Sequence, residues 1–248
     1  MNSTYFTRRT IRKYESREVE ENLLARILTA GTRASTTGNM QVYSVIVTRD
    51  DDMKKRLAPA HFNQPMVTEA PVVLTFCADF NRFNLWCRQR DAEPGYDNFL
   101  SFMTAAIDAL IVAQTVCSAA EEEGLGICYL GTATYNADKI IEVLDLPTGV
   151  VPVATVTIGW PSVIPDQPDR LPLEAVVHHE RYRDFTPQMI EDLYREKEAR
   201  ADSLQFIVEN GKKTLAQVFT DVRYNKADNE FFSAKYLEVI RKQGFMNK

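Results

Sequence analysis

Residues 101–123 read SFMTAAIDALIVAQTVCSAAEEE and form the longest apolar stretch of the chain. Thr104, Asp108 and Gln114 interrupt it, so it lacks the roughly 20 uninterrupted apolar residues that cross a bilayer. The stretch is apolar nearly all round and ends before Gly124, which is typical of a helix at the centre of a soluble domain. A chain of 248 residues does not easily surround such a helix. We therefore expect a second subunit to complete its packing in a homodimer.

Apolar segments on either side of this helix predict strands. Residues 71–79, PVVLTFCAD, are apolar at nearly every position, as expected of a strand covered on both faces. The other strands are predicted at residues 42–48, 127–130 and 151–159. Further helices are predicted at residues 18–30, 137–144, 186–210 and 229–243. This order predicts an α+β fold in which a mixed sheet is flanked by helices, with a main domain over residues 1–180 and a C-terminal helical extension over 181–248 that completes the dimer.

The composition excludes several classes of protein. The hydrophobic fraction of 45% is high enough to fill a core, and a net charge of −5 argues against a general nucleic-acid binder. The N-terminal residues lack the apolar region of a signal peptide, and no membrane span is predicted, so we expect a soluble, cytoplasmic protein. The four cysteines form no C-x-x-C pair, which favours reduced, structural thiols.

Known catalytic motifs are also missing from the sequence. The three histidines are not spaced as metal ligands, so no metal site is expected, and neither a G-x-S-x-G nor a G-x-x-x-x-G-K-[ST] motif occurs. Gly124 and Gly126 lie between a helix and a strand, the reverse of the order that binds a dinucleotide, and they indicate a helix stop. Any chemistry is therefore expected to come from a cofactor held by dispersed contacts.

Five short segments could supply such contacts, and the last of them combines residues 159–161 with residues 168–172. Residues 8–14 carry four cations that match phosphate geometry, although a solvated basic arm has the same composition. Residues 34–41 offer hydroxyl and amide groups, although turn-forming loops have them too. Residues 63–67 precede the apolar strand at 71–79. In residues 129–132, a glycine would allow the backbone to approach a flat ligand.

Motifs in these segments occur in a fixed order. They are RRTIRKY at 8–14, STTGNMQ at 35–41, FCADFNR at 76–82, and then GLG, YLG, GWP and RLP between residues 124 and 172. Together they resemble the nitroreductase family of FMN-dependent oxidoreductases, and within it the oxygen-insensitive, NADPH-using nitroreductases and their flavin-reductase relatives. The likeness extends from about Arg8 to Pro172.

The resemblance implies three sets of FMN contacts. The phosphate is held by two arginines and a threonine: Arg8, Thr10 and Arg170. The ribityl chain and nearby ring edges are contacted by four polar side chains: Arg9, Thr36, Thr37 and Asn39. The ring itself is contacted by a cation, an amide and a backbone turn: Arg12 at N1 and O2, Gln64 at the pyrimidine edge, and the segment Tyr129, Leu130, Gly131 and Thr132 facing N5.

Two positions depart from the family pattern. Pro168 stands where relatives have a lysine near the phosphate, and Thr134 stands where close relatives have an arginine. Asp108 could accept from a ribityl hydroxyl or pair within a dimer core, and the second is favoured because an unpaired buried carboxylate is costly. Phe83 and Trp86 could line a substrate pocket or anchor a subunit contact.

The activity implied by the resemblance is two-electron reduction with NAD(P)H as co-substrate. Hydride would pass through flavin N5 to small electron-poor acceptors such as nitroaromatics, quinones or free flavin, with no catalytic side chain beyond the assisting charge of Arg12. A non-catalytic flavin-binding or redox-sensing protein is the alternative from the binding class. A specialised reductase on the same fold, such as a dehalogenase, is a further alternative.

Overall fold

The structure is a computed structural model that describes residues 4–247. Its strands are β1 (Tyr43–Thr48), β2 (Val72–Asp79), β3 (Gly126–Leu130) and β4 (Val150–Gly159). Its helices are α1 (Thr4–Thr7), α2 (Glu21–Gly31), α3 (Asp51–Leu57), α4 (Met66–Glu69), α5 (Asn81–Arg88), α6 (Phe99–Glu122), α7 (Ala137–Val143), α8 (Pro187–Ala199), α9 (Ala201–Glu209), α10 (Leu215–Val218) and α11 (Lys226–Lys242). All four predicted strands are present, each within one residue of the expected bounds.

The strands form one sheet in the order β1-β2-β4-β3. The predicted α+β class, with helices flanking a sheet, is confirmed. The mixed strand direction is not, because the described strands pair antiparallel throughout. Every residue of β2 is buried. A continuous apolar strand reports cover on both faces and not strand direction, so the pattern in residues 71–79 could not distinguish the two arrangements.

Helices cover the two faces of the sheet. On one face, α2 and α6 pack on strand residues that include Leu74 of β2, Val156 of β4 and Ile127 of the edge strand β3. On the other face, α3, α4 and α7 pack around Cys128 and Leu130 of β3. Successive residues of β3 therefore point to opposite faces of the sheet: Ile127 packs against α2 and α6, and Cys128 packs against α3, α4 and α7.

The long helix α6 is covered on one side only. Asn98 caps its start by accepting from the Ser101 amide, and Gly124 follows its end at a φ of +83°. The side opposite the sheet is an exposed row of large apolar side chains, called here the α6 stripe: Leu100, Met103, Ile107, Leu110 and Ile111. By length and composition α6 could cross a membrane, but half of its most apolar window is buried, as in a core helix.

The chain divides into two compact units. The first contains the described residues up to Asp166 and those from Phe232 onward, and the second contains Gln167–Phe231. The last helical segment, from Phe232 onward, therefore belongs to the first unit. The single helix predicted over residues 186–210 is wrong: Arg200 adopts an extended conformation (ψ 144°) between α8 and α9.

Candidate functional site

The basic N-terminal segment runs alongside β3. The Ile11 amide donates to the Ile127 carbonyl at 2.9 Å. A Cβ on Gly126 would come within 2.5 Å of the Ile11 side chain. Gly126 therefore permits a close backbone approach, whereas Gly124 alone performs the predicted helix stop.

Two arginines of this segment line a cavity of about 290 Å³ beside the start of β3. Arg8 forms a 3.3 Å ion pair with Glu121 of α6. Arg9 donates from Nη1 to the Pro165 carbonyl at 3.0 Å. Burial raises the pKa of Glu121, and the Arg8 charge opposes that shift. The cavity thus collects two guanidinium groups and one partly buried carboxylate, and Thr10 follows them half-buried.

Tyr14 fixes the far end of the same segment. Its hydroxyl lies 2.9 Å from the Ile11 carbonyl and 2.7 Å from Oγ1 of Thr157 on β4. Burial raises the pKa of Tyr14, so the phenol stays protonated. Arg12 is exposed, and its charge opposes the burial that raises the pKa of Cys128 on β3. Arg12 is therefore held at the sheet by an anchored backbone while its guanidinium faces solvent.

The hydroxyl-rich loop at residues 36–39 is organised by Asp108. The Asp108 carboxylate accepts from the Thr36 hydroxyl at 2.5 Å, the Thr37 hydroxyl at 3.0 Å and the Thr37 amide at 3.0 Å. The favoured pairing of Asp108 within a dimer core is therefore wrong, because its lone pairs are taken up within the chain. Asn39, which follows at a φ of +54°, accepts weakly from the Gln41 side chain at 3.4 Å.

Asn39 also lines a cavity of about 530 Å³ with two aromatic side chains. Phe83 and Trp86 of α5 form part of its wall, with ring centroids 5.3 Å apart. Arg82 completes this wall and donates to the Gln41 carbonyl. The two aromatic residues singled out by the sequence therefore lie next to the hydroxyl-rich loop.

The loop that carries Gln64 begins with an unusual backbone turn. Phe62 and Asn63 have φ values of +53° and +54°, and two consecutive non-glycine residues in the left-handed region are uncommon. His61, immediately before them, is fully buried and its Nδ1 lies 2.8 Å from Thr132 Oγ1. Burial lowers the pKa of His61 to about 4, so the imidazole is neutral near pH 7. This contact joins the Gln64 loop to the turn at the end of β3.

That turn spans Gly131–Ala133. A Cβ built on Gly131 would meet no atom within 4 Å, so the turn opens onto unfilled space. Leu130 is buried in the core, and only its backbone can contact a ligand, whereas Tyr129 is partly exposed. Thr134, at the second position that departs from the family pattern, donates to the Gly131 carbonyl at 3.3 Å.

A second contact ties the same two segments together. Buried Asn136 donates to the Ala60 carbonyl at 3.0 Å, and its Oδ1 accepts from Lys235 of α11 at 3.0 Å. Lys235 also forms a 2.8 Å ion pair with Asp138. Sequence reasoning missed His61, Asn136 and Lys235. Only the position of His61, three residues before Gln64, gave a signal, and a single histidine there is weak evidence.

The remaining predicted phosphate ligand lies in the second unit. Arg170 is exposed and donates from Nη1 to the Asp169 carbonyl at 2.7 Å. Lys197 of α8 forms a 2.8 Å ion pair with Asp169, and hydrogen bonding to Lys197 lowers the pKa of Asp169. A lysine therefore does lie next to the Arg170 loop, although Pro168 occupies the position where relatives have one.

Three of the five predicted segments thus meet around β3. The segment at 8–14 runs along this strand, and the Gln64 loop joins the turn at its end through His61. The loop at 36–39 stands apart: the side-chain hydrogen bonds of Thr36, Thr37 and Asn39 all go to Asp108 or Gln41. A single chain therefore brings together only some of the residues that were predicted to contact FMN.

An antiparallel sheet between helical layers, with a basic strand-side segment and a glycine turn at the end of β3, is the arrangement expected of a flavin-binding α+β protein. The model of the nitroreductase family matches residues 5–160, and the chain belongs to this family.

Relatives of known name agree with this assignment. The chain is 32% identical over 206 residues to a Bacillus subtilis protein named FMN reductase (NADPH), covering 78% of this chain and 83% of that one. Among solved structures, a Bacteroides fragilis protein described as an oxidoreductase is 57% identical to this chain, with a TM-score of 0.98. The match covers 98% of this chain and 99% of the Bacteroides fragilis chain. The Bacillus subtilis nitroreductase NfrA1 has 26% identity and a TM-score of 0.86, with 99% and 98% covered.

Proposed function

We propose that the protein is an FMN-dependent oxidoreductase that takes hydride from NAD(P)H and reduces small electron-poor acceptors such as nitroaromatics, quinones or free flavin. Relatives named FMN reductase and NADPH-dependent oxidoreductase support this activity. The observation that carries it is the open turn at Gly131, which lies at the end of β3 and is joined to the Gln64 loop. The basic segment along the same strand supplies the charge that a phosphate needs.

The side chains around β3 fit FMN in both shape and chemistry. A flat ring needs close backbone approach, and the space in front of Gly131 provides it. A phosphate needs cations, and Arg8 and Arg9 share one cavity at the other end of the strand. Arg8, Thr10 and Arg170 would hold the phosphate, and Gln64 with the turn from Tyr129 to Thr132 would hold the ring.

When bound, FMN supplies the hydride-accepting centre, so the chain needs no nucleophile of its own. Arg12 carries a permanent positive charge beside β3, and at N1 and O2 of the bound ring this charge would favour the reduced flavin. The protonated Tyr14 keeps the backbone of Arg12 on the sheet through Ile11 and Thr157. Arg9, Thr36, Thr37 and Asn39 would bind the ribityl chain and the ring edges.

We further propose that the active unit is a homodimer formed through the α6 stripe. Contiguous exposed apolar rows on soluble proteins mark interaction sites, and all five side chains of the α6 stripe are exposed. The loop at residues 36–39 is held against this helix by Asp108 and makes no side-chain hydrogen bond to residues 8–14, 63–67 or 129–132. A partner subunit would then supply this loop to the site around β3.

Purified protein tests the proposed function directly. We expect a yellow protein that releases FMN on denaturation and oxidises NAD(P)H rapidly only when an acceptor is added. Sedimentation at micromolar concentration should give a dimer, and Ile107→Glu in the α6 stripe should dissociate it and release flavin. A flavin-loaded, active monomer would contradict the dimer. A yellow protein inert to both nucleotides would favour the binding or sensing alternative, and a panel of acceptors would identify a specialised reductase.

The compartment that we propose is the cytoplasm. Within the described residues all four cysteines are free and buried, and burial raises the pKa of Cys117 to about 12. Buried, reduced thiols of this kind suit a reducing compartment.

A further inference from the structure

We propose that His61 and Thr132 form a positioning pair in which the buried imidazole orients the Thr132 hydroxyl, so that this hydroxyl donates a hydrogen bond to the flavin ring bound at the Gly131 turn. This inference rests on the proposed function and adds a specific side-chain donor to it. The backbone of this turn is implied by family resemblance, whereas the hydroxyl and the histidine are particular to the geometry of this chain.

The first step of the argument is the tautomer of His61. Its Nδ1 lies 2.8 Å from Thr132 Oγ1, while its Nε2 is buried without a hydrogen-bond partner among residues 4–247. A buried N–H without an acceptor is rarer in proteins than an unused lone pair. The neutral ring therefore carries its proton on Nδ1 and leaves the lone pair on Nε2.

The second step is the direction of the hydrogen bond. If Nδ1–H donates, Thr132 Oγ1 accepts, and the hydroxyl proton must point away from the ring. Within the described residues, His61 is the sole side chain or backbone group that is hydrogen-bonded to this hydroxyl. The proton of Thr132 is thus available to an acceptor outside the protein chain.

The third step is what that acceptor is. Thr132 is half-buried and adjoins Gly131, where an added Cβ would meet no other atom within 4 Å. The amide-like edge of a flavin ring carries carbonyl and ring-nitrogen acceptors, which match a single fixed donor. A donor here strengthens as electron density rises on the ring, so it favours the reduced over the oxidised flavin.

The rigidity of the pair comes from its surroundings. Asn136, four residues after Thr132, donates to the carbonyl of Ala60, the residue before His61. The two segments are therefore joined by two hydrogen bonds. A fixed threonine rotamer lowers the cost of ordering the hydroxyl when a ligand binds.

The test compares FMN dissociation constants and flavin midpoint potentials, which report the pair without relying on turnover. Thr132→Val removes the hydroxyl at nearly constant shape, and Thr132→Ser retains it. We expect Thr132→Val to weaken FMN binding about fivefold, the effect of one neutral hydrogen bond, and to lower the potential. Thr132→Ser should remain close to wild type. Thr29→Val, which removes an exposed hydroxyl on α2 bonded to the Ala25 carbonyl, is the matched control.

Histidine variants test the positioning role. His61→Asn places an amide donor near the position of Nδ1, so it should keep the flavin midpoint potential close to the wild-type value. His61→Leu removes the donor and should lower this potential. In the double variant with Thr132→Val, His61→Leu should add nothing further to the shift in potential. Thermal unfolding of each variant separates loss of fold from loss of the donor.

The outcomes distinguish the two proposals. A wild-type protein that does not take up FMN would overturn the proposed function and the pair with it. A wild-type protein that binds FMN, while folded Thr132→Val matches it in affinity and potential, would overturn the pair alone. Additive shifts from His61→Leu and Thr132→Val would also contradict action of the histidine through the threonine.

Discussion

The two ends of β3 carry the two halves of the proposed FMN site, and they hold their side chains by different means. Beside the start of the strand, Arg8 and Arg9 are partly exposed charges whose contacts include an ion pair to Glu121 and hydrogen bonds to backbone carbonyls. At the end of the strand, His61 and Asn136 are buried, neutral groups joined to neighbouring loops by hydrogen bonds.

This difference suggests that one end of β3 sets the affinity for the FMN phosphate and the other sets the orientation and potential of the flavin ring. Exposed charges act at some distance, tolerate small shifts of the ligand and are screened by salt, so they suit a phosphate. Buried neutral hydrogen bonds are directional and are costly to leave unmade, so they suit the orientation of a ring. The two ends should therefore respond differently to pH and to substitution.

The largest expected effect is on stability and belongs to the buried end. Unfolded His61 has a pKa of 6.5, and the folded value is about 4. The unfolded chain therefore binds a proton that the folded chain resists, and stability falls as the pH drops from 6.5 towards 4. The loss attributable to this residue is about 3 kcal/mol.

Urea unfolding between pH 7 and pH 4 checks this value at a fixed protein concentration. His61→Asn should flatten the pH dependence of the free energy of unfolding, whereas His179→Asn, at an exposed histidine, should leave it unchanged. Equal pH slopes in the wild type and in His61→Asn would show that His61 does not resist protonation.

The next effect concerns phosphate binding and Arg170. A charge-assisted hydrogen bond contributes about 1.5–3 kcal/mol, so Arg170→Ala should weaken FMN binding roughly ten- to a hundredfold. Because the loss is one of affinity, excess FMN should restore most of the turnover. Titration of apoprotein with FMN measures the first quantity, and turnover at saturating FMN measures the second. Wild-type affinity in this variant would remove Arg170 from the site.

The same contrast explains which residues sequence reasoning could find. The strands and the α6 helix were predicted because long apolar runs leave few alternatives. The basic segment at 8–14 and the loop at 36–39 were found because charged and hydroxyl residues cluster along the chain. Both kinds of signal are local in sequence.

The residues that were missed depend on contacts between distant segments. His61 meets Thr132 across 71 positions, and Asn136 meets Lys235 across 99. Asp108 was noticed, but its partners at Thr36 and Thr37 could not be inferred from a helix sequence. The sequence around a buried polar residue does not indicate which distant residue it bonds to, so these contacts could be identified only from the three-dimensional structure.

Arg12 tests whether an exposed charge can also tune the ring. Arg12→Ala should slow the reduction of bound flavin by NAD(P)H about tenfold, even when FMN is saturating. This effect lies at the lower end of the range for a charged hydrogen bond, because the Arg12 side chain is exposed. Stopped-flow absorbance measures this rate, with Arg170→Ala at saturating FMN as the comparison. If Arg170→Ala is the slow variant and Arg12→Ala reduces normally, the assigned roles are reversed.

The smallest expected effect belongs to the Arg8–Glu121 ion pair, and it has the opposite sign. Glu121→Gln removes a carboxylate that attracts Arg8, so the cavity at the start of β3 becomes more positive and FMN should bind about threefold more tightly. Glu123→Gln is the matched control, because Glu123 pairs with Arg26 instead. Burial raises the pKa of Glu121, so protonation at lower pH should mimic the substitution and narrow the difference from wild type. FMN titrations of both variants at several pH values measure this trend. Weaker binding in Glu121→Gln would mean that the carboxylate orients Arg8 for the phosphate and does not compete with it.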